Sequence, residues 1–266
     1  ELGRFPDPAR LAFDLVDEIW CHSEHAARAF REATDKAVHK VPLPVSVPQI
    51  TAAERAVFGL PGDAFVVFTS FDGASSISRK HPLGAISAFQ LAFPAATHRE
   101  ARLIVKAMNT GSDSLWRECL RRAATDDRVL ILDEVMDRLS YYELLKSCDA
   151  VISLHRAEGF GRLMAEAMAL GIPTIASAYS GNLDFMDETN SWLVPGEMVP
   201  LFPGDYAFHQ GQQWLEPDIE AAAAALRQCA DDPAERQRRA SAGAETIRRR
   251  YDPLVCGRAY GALLQR

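Results

Sequence analysis

Short apolar runs alternate along the chain with longer segments whose apolar residues recur every three or four positions. That is the pattern of repeated β-α units, which build a parallel sheet with helices on both faces. The run AFVVFTSF, from Ala64 to Phe71, is the clearest strand. RLIVKAM (102–108), RVLILDE (128–134), DAVISLH (149–155), PTIAS (173–177) and SWLVP (191–195) follow it, each bounded by polar or turn residues. Helical spacing fills the intervals at 81–93, 112–124, 138–149 and 161–170. The expected fold class is α/β, with a doubly wound order of strands.

Both ends read differently. LVDEIWCHSEHAARAFREA (15–33) predicts a strand running into a helix, and the next stretch carries Pro42, Pro44 and Pro48, which forbid a regular helix and favour an extended connector. A domain boundary is expected there: residues 1–43 as the trailing strand and helix of one domain, and 44–251 as a second. Beyond Pro217 lie three alanine- and arginine-rich helices, of which the last, 252–266, is expected to pack back toward the first domain. The cluster Arg248, Arg249 and Arg250 predicts a solvated helix face. A start at Glu1 rather than methionine suggests a processed chain or an excised fragment.

The 266 residues carry a formal net charge of -7, which argues against a general nucleic-acid surface, so any phosphate site must be local. The five cysteines are far apart, lack metal-binding spacing and sit among apolar neighbours, as buried thiols of a reducing, cytoplasmic setting do. No apolar run approaches the ~20 residues that span a bilayer.

Candidate chemistry concentrates at SLHRAEGFGRLMAEAMAL (153–170). In open parallel sheets ligands bind beyond the carboxyl ends of the strands, and the loop RAEGFG follows such an end. Gly159 and Gly161 let the backbone approach a ligand closely, while the first amides of the next helix, around Phe160, Gly161, Arg162 and Leu163, form an anion site suited to phosphate. Glu158 and Glu166 flank that cradle and, as carboxylates, accept hydrogen bonds from sugar hydroxyls. The alternative is structural: Arg162 and Glu166 are spaced as an ordinary i,i+4 pair, and Glu158 pairs locally. Arg79 and Lys80, in or after the loop SFDGASSISRKHP, stand at the same sheet edge and could neutralise a diphosphate. Read alone they are exposed loop cations whose removal leaves stability unchanged. His155, Asp133 and Glu134 are weaker candidates for the same cleft.

These residues resemble a known family. EGFGRLMAEAMALGIPTIAS resembles the E-x7-E signature of retaining GT-B glycosyltransferases of family 4 (group 1), RKHP resembles the basic pair of that family's donor site, and VDEIWCHSEHAARAF resembles the last strand and helix of its N-terminal domain. The resemblance implies a Rossmann-like C-terminal donor domain preceded by a remnant of the N-terminal domain. It implies a nucleotide-sugar donor, UDP- or GDP-linked, and transfer of a hexose to a glycan or lipid-linked acceptor, as in polysaccharide biosynthesis. It further implies Glu158 at the transferred sugar as the catalytic residue, Glu166 at the ribose, Lys80 and Arg79 at the diphosphate, the amides of Phe160 to Leu163 at the phosphates, and Val135 and Met136 beside the base. No metal or other cofactor is expected, and no nucleic acid; peripheral membrane association of the full-length enzyme is compatible with it. One departure stands out: many relatives carry a GR pair directly after the first strand, where this chain has TSFDGASS, so Arg79 is expected to take over. With most of the N-terminal domain missing, the fragment alone is expected to be inactive. The rival readings are an epimerase or phosphorylase of the same fold and a non-catalytic nucleotide-sugar-binding module.

Overall fold

The computed structural model describes residues 1–50 and 54–265. Its centre is a six-stranded parallel sheet built from β3 (Val66–Asp72), β4 (Arg102–Met108), β5 (Val129–Asp133), β6 (Ala150–Ser153), β7 (Thr174–Ser177) and β8 (Trp192–Val194). The preceding pair, β1 (Glu18–Cys21) and β2 (Ala37–Lys40), forms a separate two-stranded parallel sheet. Between them runs α1 (Glu24–Arg31), whose start is capped by Ser23 Oγ accepting from the Ala26 amide, a contact worth ~1 kcal/mol.

Strand order in the main sheet is β5-β4-β3-β6-β7-β8. The chain therefore winds outward one way from β3, returns to its centre at β6, and winds outward the other way. The inner strands β3, β4, β6 and β7 are buried on both faces near their middles because helices cover both sides, while the edge strands β5 and β8 are partly exposed. Val67, Val105, Ile152 and Ile175 face one core with α3 (Pro82–Ala92), α4 (Ser114–Ala123) and α7 (Ile219–Asp231). Val66, Phe68, Ile104 and Val151 face the other with α5 (Arg138–Lys146) and α6 (Arg162–Ala169). Phe68 has no exposed surface, and burial of such a side chain contributes about 2 kcal/mol.

The expected strands and helices of the doubly wound region all appear, with ends displaced by at most three residues. Two features were not expected. A 3-10 helix occupies Asp7–Leu15, and an antiparallel arm, β9 (Gly196–Pro200) with β10 (Gln213–Pro217), projects from the sheet without joining it. The C-terminal helices α8 (Pro233–Tyr251) and α9 (Pro253–Leu264) run back across the molecule. On α9 the Tyr260 hydroxyl donates to the Pro42 carbonyl at 3.1 Å and its ring lies 5.5 Å from Trp20. Arg248, Arg249 and Arg250 are exposed. The five cysteines are free and buried, and among the described residues no helix is long and apolar enough to cross a membrane.

Candidate active site

Strand order reverses between β3 and β6, and the divergent loops leaving their carboxyl ends open a crevice there. A cavity of about 480 Å³ occupies it. The loop after β3 leads into α2 (Ile77–Lys80), bringing Arg79 and Lys80 to the wall; the loop after β6 brings Glu158 to Gly161 and then the start of α6. Trp20 and Cys21 of β1, His22 just after it, and Phe30 of α1 close the opposite side.

The two loops meet through charge. Glu158 is buried, and its Oε1 pairs directly with Lys80 Nζ and lies 3.5 Å from Arg79 Nη1. Burial alone would push the Glu158 carboxyl up; the Lys80 ammonium, helped by His155 and Arg79, outweighs it and holds the group below the usual carboxylate range. Arg79 is 1% exposed, which corrects the expectation of an exposed loop cation. Its Nη1 donates to the Ala157 carbonyl at 2.7 Å, its Nε and Nη2 donate to the Ser75 carbonyl, and its Nε lies 3.0 Å from the Glu1 carboxylate. Lys80 is a partly buried helical residue rather than a free loop charge. A guanidinium can serve so many acceptors because its donors form a fixed planar fork.

Backbone contacts hold the Glu158 loop from several sides. The Glu158 amide donates to Ser180 Oγ at 2.8 Å, the Gly181 amide donates to the Glu158 carbonyl at 3.0 Å, and Ser23 Oγ donates to the Gly159 carbonyl at 2.5 Å. Gly181 has to be glycine for this approach, since a Cβ there would run into the Gly159 carbonyl. Gly161 opens α6 with φ of 102°, in the left-handed region that favours glycine, and no side chain caps the helix. The first amides of α6 are therefore without an intrahelical or side-chain acceptor, and Phe160, Gly161, Arg162 and Leu163 line the cavity.

The remaining candidates separate. Glu166 is buried one turn along α6, accepts from Arg162 at 2.9 Å and lies near Tyr142, outside the cavity wall. The i,i+4 pair foreseen as the structural alternative is thus formed. Val135 is 78% exposed, while Met136 packs against the core beneath α5; neither lines the cavity. His155 is fully buried, within bonding distance of Ser153, the Tyr179 carbonyl and Asn182, and burial drives its basicity down. It holds structure and does not reach the cleft. Asp133 accepts from Thr110 Oγ1 and Trp116 Nε1 and Glu134 is exposed, so both lie away from the cavity.

Sequence reading missed Thr69 and Ser70, within β3, and Ser153, at the end of β6, all of which line the cavity. Their polarity at the close of apolar runs was the available signal. It also missed Tyr206, between β9 and β10, whose hydroxyl donates to Glu1 at 2.6 Å and whose ring lies 5.8 Å from the Arg79 guanidinium. The arm carrying Tyr206 is anchored by Arg156, which makes two bonds to Glu216 (2.7 and 2.9 Å), donates to Ser78 and stacks on Trp214.

Comparison with known proteins bears on the family and the fold. The model of family 4 glycosyltransferases in conflict systems matches residues 23–256. A D-inositol 3-phosphate glycosyltransferase of Mycolicibacterium smegmatis is 30% identical over 223 residues, 77% of this chain and 48% of its own length, so the chain spans about half of that relative. Among solved structures, Anabaena HepE in complex with UDP and glucose superposes on 96% of this chain and 66% of its own with a TM-score of 0.76 at 18% identity. Sucrose-phosphate synthase from Thermosynechococcus elongatus covers 96% of this chain and 59% of its own at 0.72 and 20% identity. These structural likenesses show the GT-B fold. Since the family match spans most of its residues, the chain belongs to the family 4 glycosyltransferases of conflict systems.

Proposed function

We propose that this chain is the donor-binding portion of a retaining glycosyltransferase that transfers a hexose from a UDP- or GDP-linked sugar to a glycan or lipid-linked acceptor. The observation that carries the reading is the meeting of Lys80, Glu158 and the uncapped start of α6 at the point where strand order reverses. In this reading the diphosphate lies between the Lys80 ammonium and the α6 amides, which stabilise the charge that develops as it departs. Glu158 accepts from hydroxyls of the transferred sugar, and Glu166 from the ribose once Arg162 turns aside. Arg79 acts as a positioning residue, because its guanidinium is already committed to Ser75 and Ala157. Val135 and Met136, which do not line the cavity, carry no role in this reading, and no metal is given one. UDP and glucose in the HepE complex support a nucleotide-sugar donor. Residues 1–43 and α9 are read as the edge of an acceptor-side domain, completed in a longer protein.

Calorimetric titration with UDP-, GDP- and ADP-sugars tests the donor assignment. Lys80→Ala is expected to weaken binding of the selected donor about tenfold to a hundredfold, the loss of a charge-assisted contact worth ~1.5 to 3 kcal/mol. Glu166→Ala is expected to weaken the nucleoside diphosphate and its sugar conjugate equally. Unchanged donor binding by folded Lys80→Ala would sink the assignment. Transfer itself is expected only from a longer protein that includes the acceptor side, because orientation of two reactants supplies roughly 7 to 11 kcal/mol of the barrier. A mass-detected transfer assay with acceptor extracts compares the two, and turnover by the 266-residue chain alone would overturn that division. Binding by the longer protein without turnover would favour the non-catalytic module.

A further inference from the structure

The cation assigned to the diphosphate is not free. Lys80 Nζ is paired with Glu158 Oε1 inside the cavity wall, where only 21% of the lysine side chain and 9% of the glutamate side chain are exposed. A diphosphate and Glu158 are both anionic acceptors, so they compete for the same ammonium. When Lys80 turns to a phosphate, Glu158 keeps its charge in a site with little water and loses its nearest donor, which is costly for a buried carboxylate.

Arg79 makes up only part of the difference, since its Nη1 stays 3.5 Å from Glu158 Oε1 and makes no hydrogen bond to it. Its Nη1 is held by the Ala157 carbonyl and its Nε and Nη2 by the Ser75 carbonyl, so swinging toward Glu158 would abandon those acceptors. Nor can the Glu158 loop swing out to water, since Ser180, Gly181 and Ser23 hold its backbone. New donors for the freed carboxylate must come from the ligand. A nucleoside diphosphate ends there in a phosphate, which only accepts, its ribose hydroxyls lying at the other end of the molecule; a nucleotide sugar has hydroxyls there.

We propose that the Lys80–Glu158 pair is an internal lock that makes the site discriminate the intact nucleotide sugar from the nucleoside diphosphate left after transfer. The inference rests on the donor-site reading above. The diphosphate opens the lock by taking Lys80, and the sugar hydroxyls rehouse Glu158. After transfer the sugar is gone, the carboxylate is again without a donor, and re-formation of the pair expels the product. Glu158 is thereby a specificity-determining residue for donor against product.

The test is titration calorimetry of the 266-residue chain and its Glu158→Gln and Lys80→Ala variants with UDP, UDP-glucose and, as a probe without a base, inorganic pyrophosphate. Glu158→Gln removes the competing charge at constant size. It is expected to bind UDP and pyrophosphate about tenfold more tightly than the unaltered chain, as release of a close charge pair permits. The preference for UDP-glucose over UDP is expected to shrink toward one. UDP or pyrophosphate binding that is equal or weaker in Glu158→Gln overturns the lock. The Lys80→Ala arm separates the two levels: loss of binding there with no gain in Glu158→Gln removes the lock alone, whereas no loss in Lys80→Ala removes the donor site beneath it. Thermal melts establish that each variant is folded. If Glu158→Gln is not, Glu158→Asp, whose carboxylate is withdrawn by one methylene, is expected to give a gain of the same sign and smaller size, and absence of that gain overturns the proposal.

Discussion

Replacement of Arg79 by alanine is expected to lower unfolding stability by about 3 to 5 kcal/mol, the loss seen when one partner of a buried ionic cluster is removed. The side chain is almost wholly buried and joins three pieces of chain: the Ser75 turn, the Ala157 carbonyl after β6, and the carboxylates of Glu1 and Glu158. Without it two carbonyls lose their donors and two acids lose a cation. Arg79→Lys keeps the charge but not the fork, so it is expected to recover only part of the loss. Urea unfolding of the two variants gives the answer. A decrease below about 1 kcal/mol for Arg79→Ala would show that solvent reaches these groups and replaces the guanidinium.

Acidification is expected to destabilise the fold well before the carboxylates titrate. Burial, with Arg156 adding to it and Glu216 opposing it, lowers the His81 pKa from about 6.5 to about 4. Burial also lowers those of His155 and His25. Each ring is thus held neutral in the folded chain and gains a proton more readily once unfolded. Between about pH 6.5 and about pH 4 the unfolded state binds more protons, so the contribution is complete above that window and is lost as pH falls through it. For His81 alone the loss reaches about 3 kcal/mol at the acid end. Glu158, whose pKa is depressed, adds a further loss in the same direction at lower pH, as its folded-state carboxylate is protonated. Urea midpoints measured from pH 7.5 to 4.5 are expected to fall steadily below about pH 6.5. His81→Asn, which tolerates the left-handed backbone at this position (φ 52°), is expected to flatten that slope. A flat profile in the unaltered chain would mean that these rings are hydrated in solution.

The central sheet was legible because its inner strands are buried on both faces, which writes continuous apolar runs into the sequence. The glycine loop before α6 was legible for a related reason, since the start of a helix at a sheet edge has its own chemistry wherever it occurs. The arm of β9 and β10 was not. Only part of it packs, so residues such as Glu197 and Met198 stay exposed and no strict alternation marks the strand. Arg79 was legible as a cation at the right edge of the sheet but not as a buried one. The carbonyl that fixes it belongs to Ala157, 78 residues away, and main-chain acceptors leave no trace in residue type. The weaker standing of Val135 has the same origin: a loop position beside a strand end says nothing about whether its side chain turns into the crevice or, as here, out of it.

The arm between β8 and α7 also bears on how chains of this kind can diversify. Among the described residues its two strands pair with each other and not with the main sheet, and β10 is tied to the Arg156 loop and, through Glu216, to His81, so the main sheet does not depend on the arm's length. Closing a longer connection between the same two strands costs little, about 0.6 kcal/mol for each doubling. Its tip nevertheless touches two residues of the cavity wall, since Tyr206 meets Arg79 and Glu1. Variation in residues 201–212 can therefore reshape the rim of the crevice while Lys80 and Glu158 keep their places, an arrangement that lets the outer contacts of the pocket drift through sequence change independently of the groups at its base.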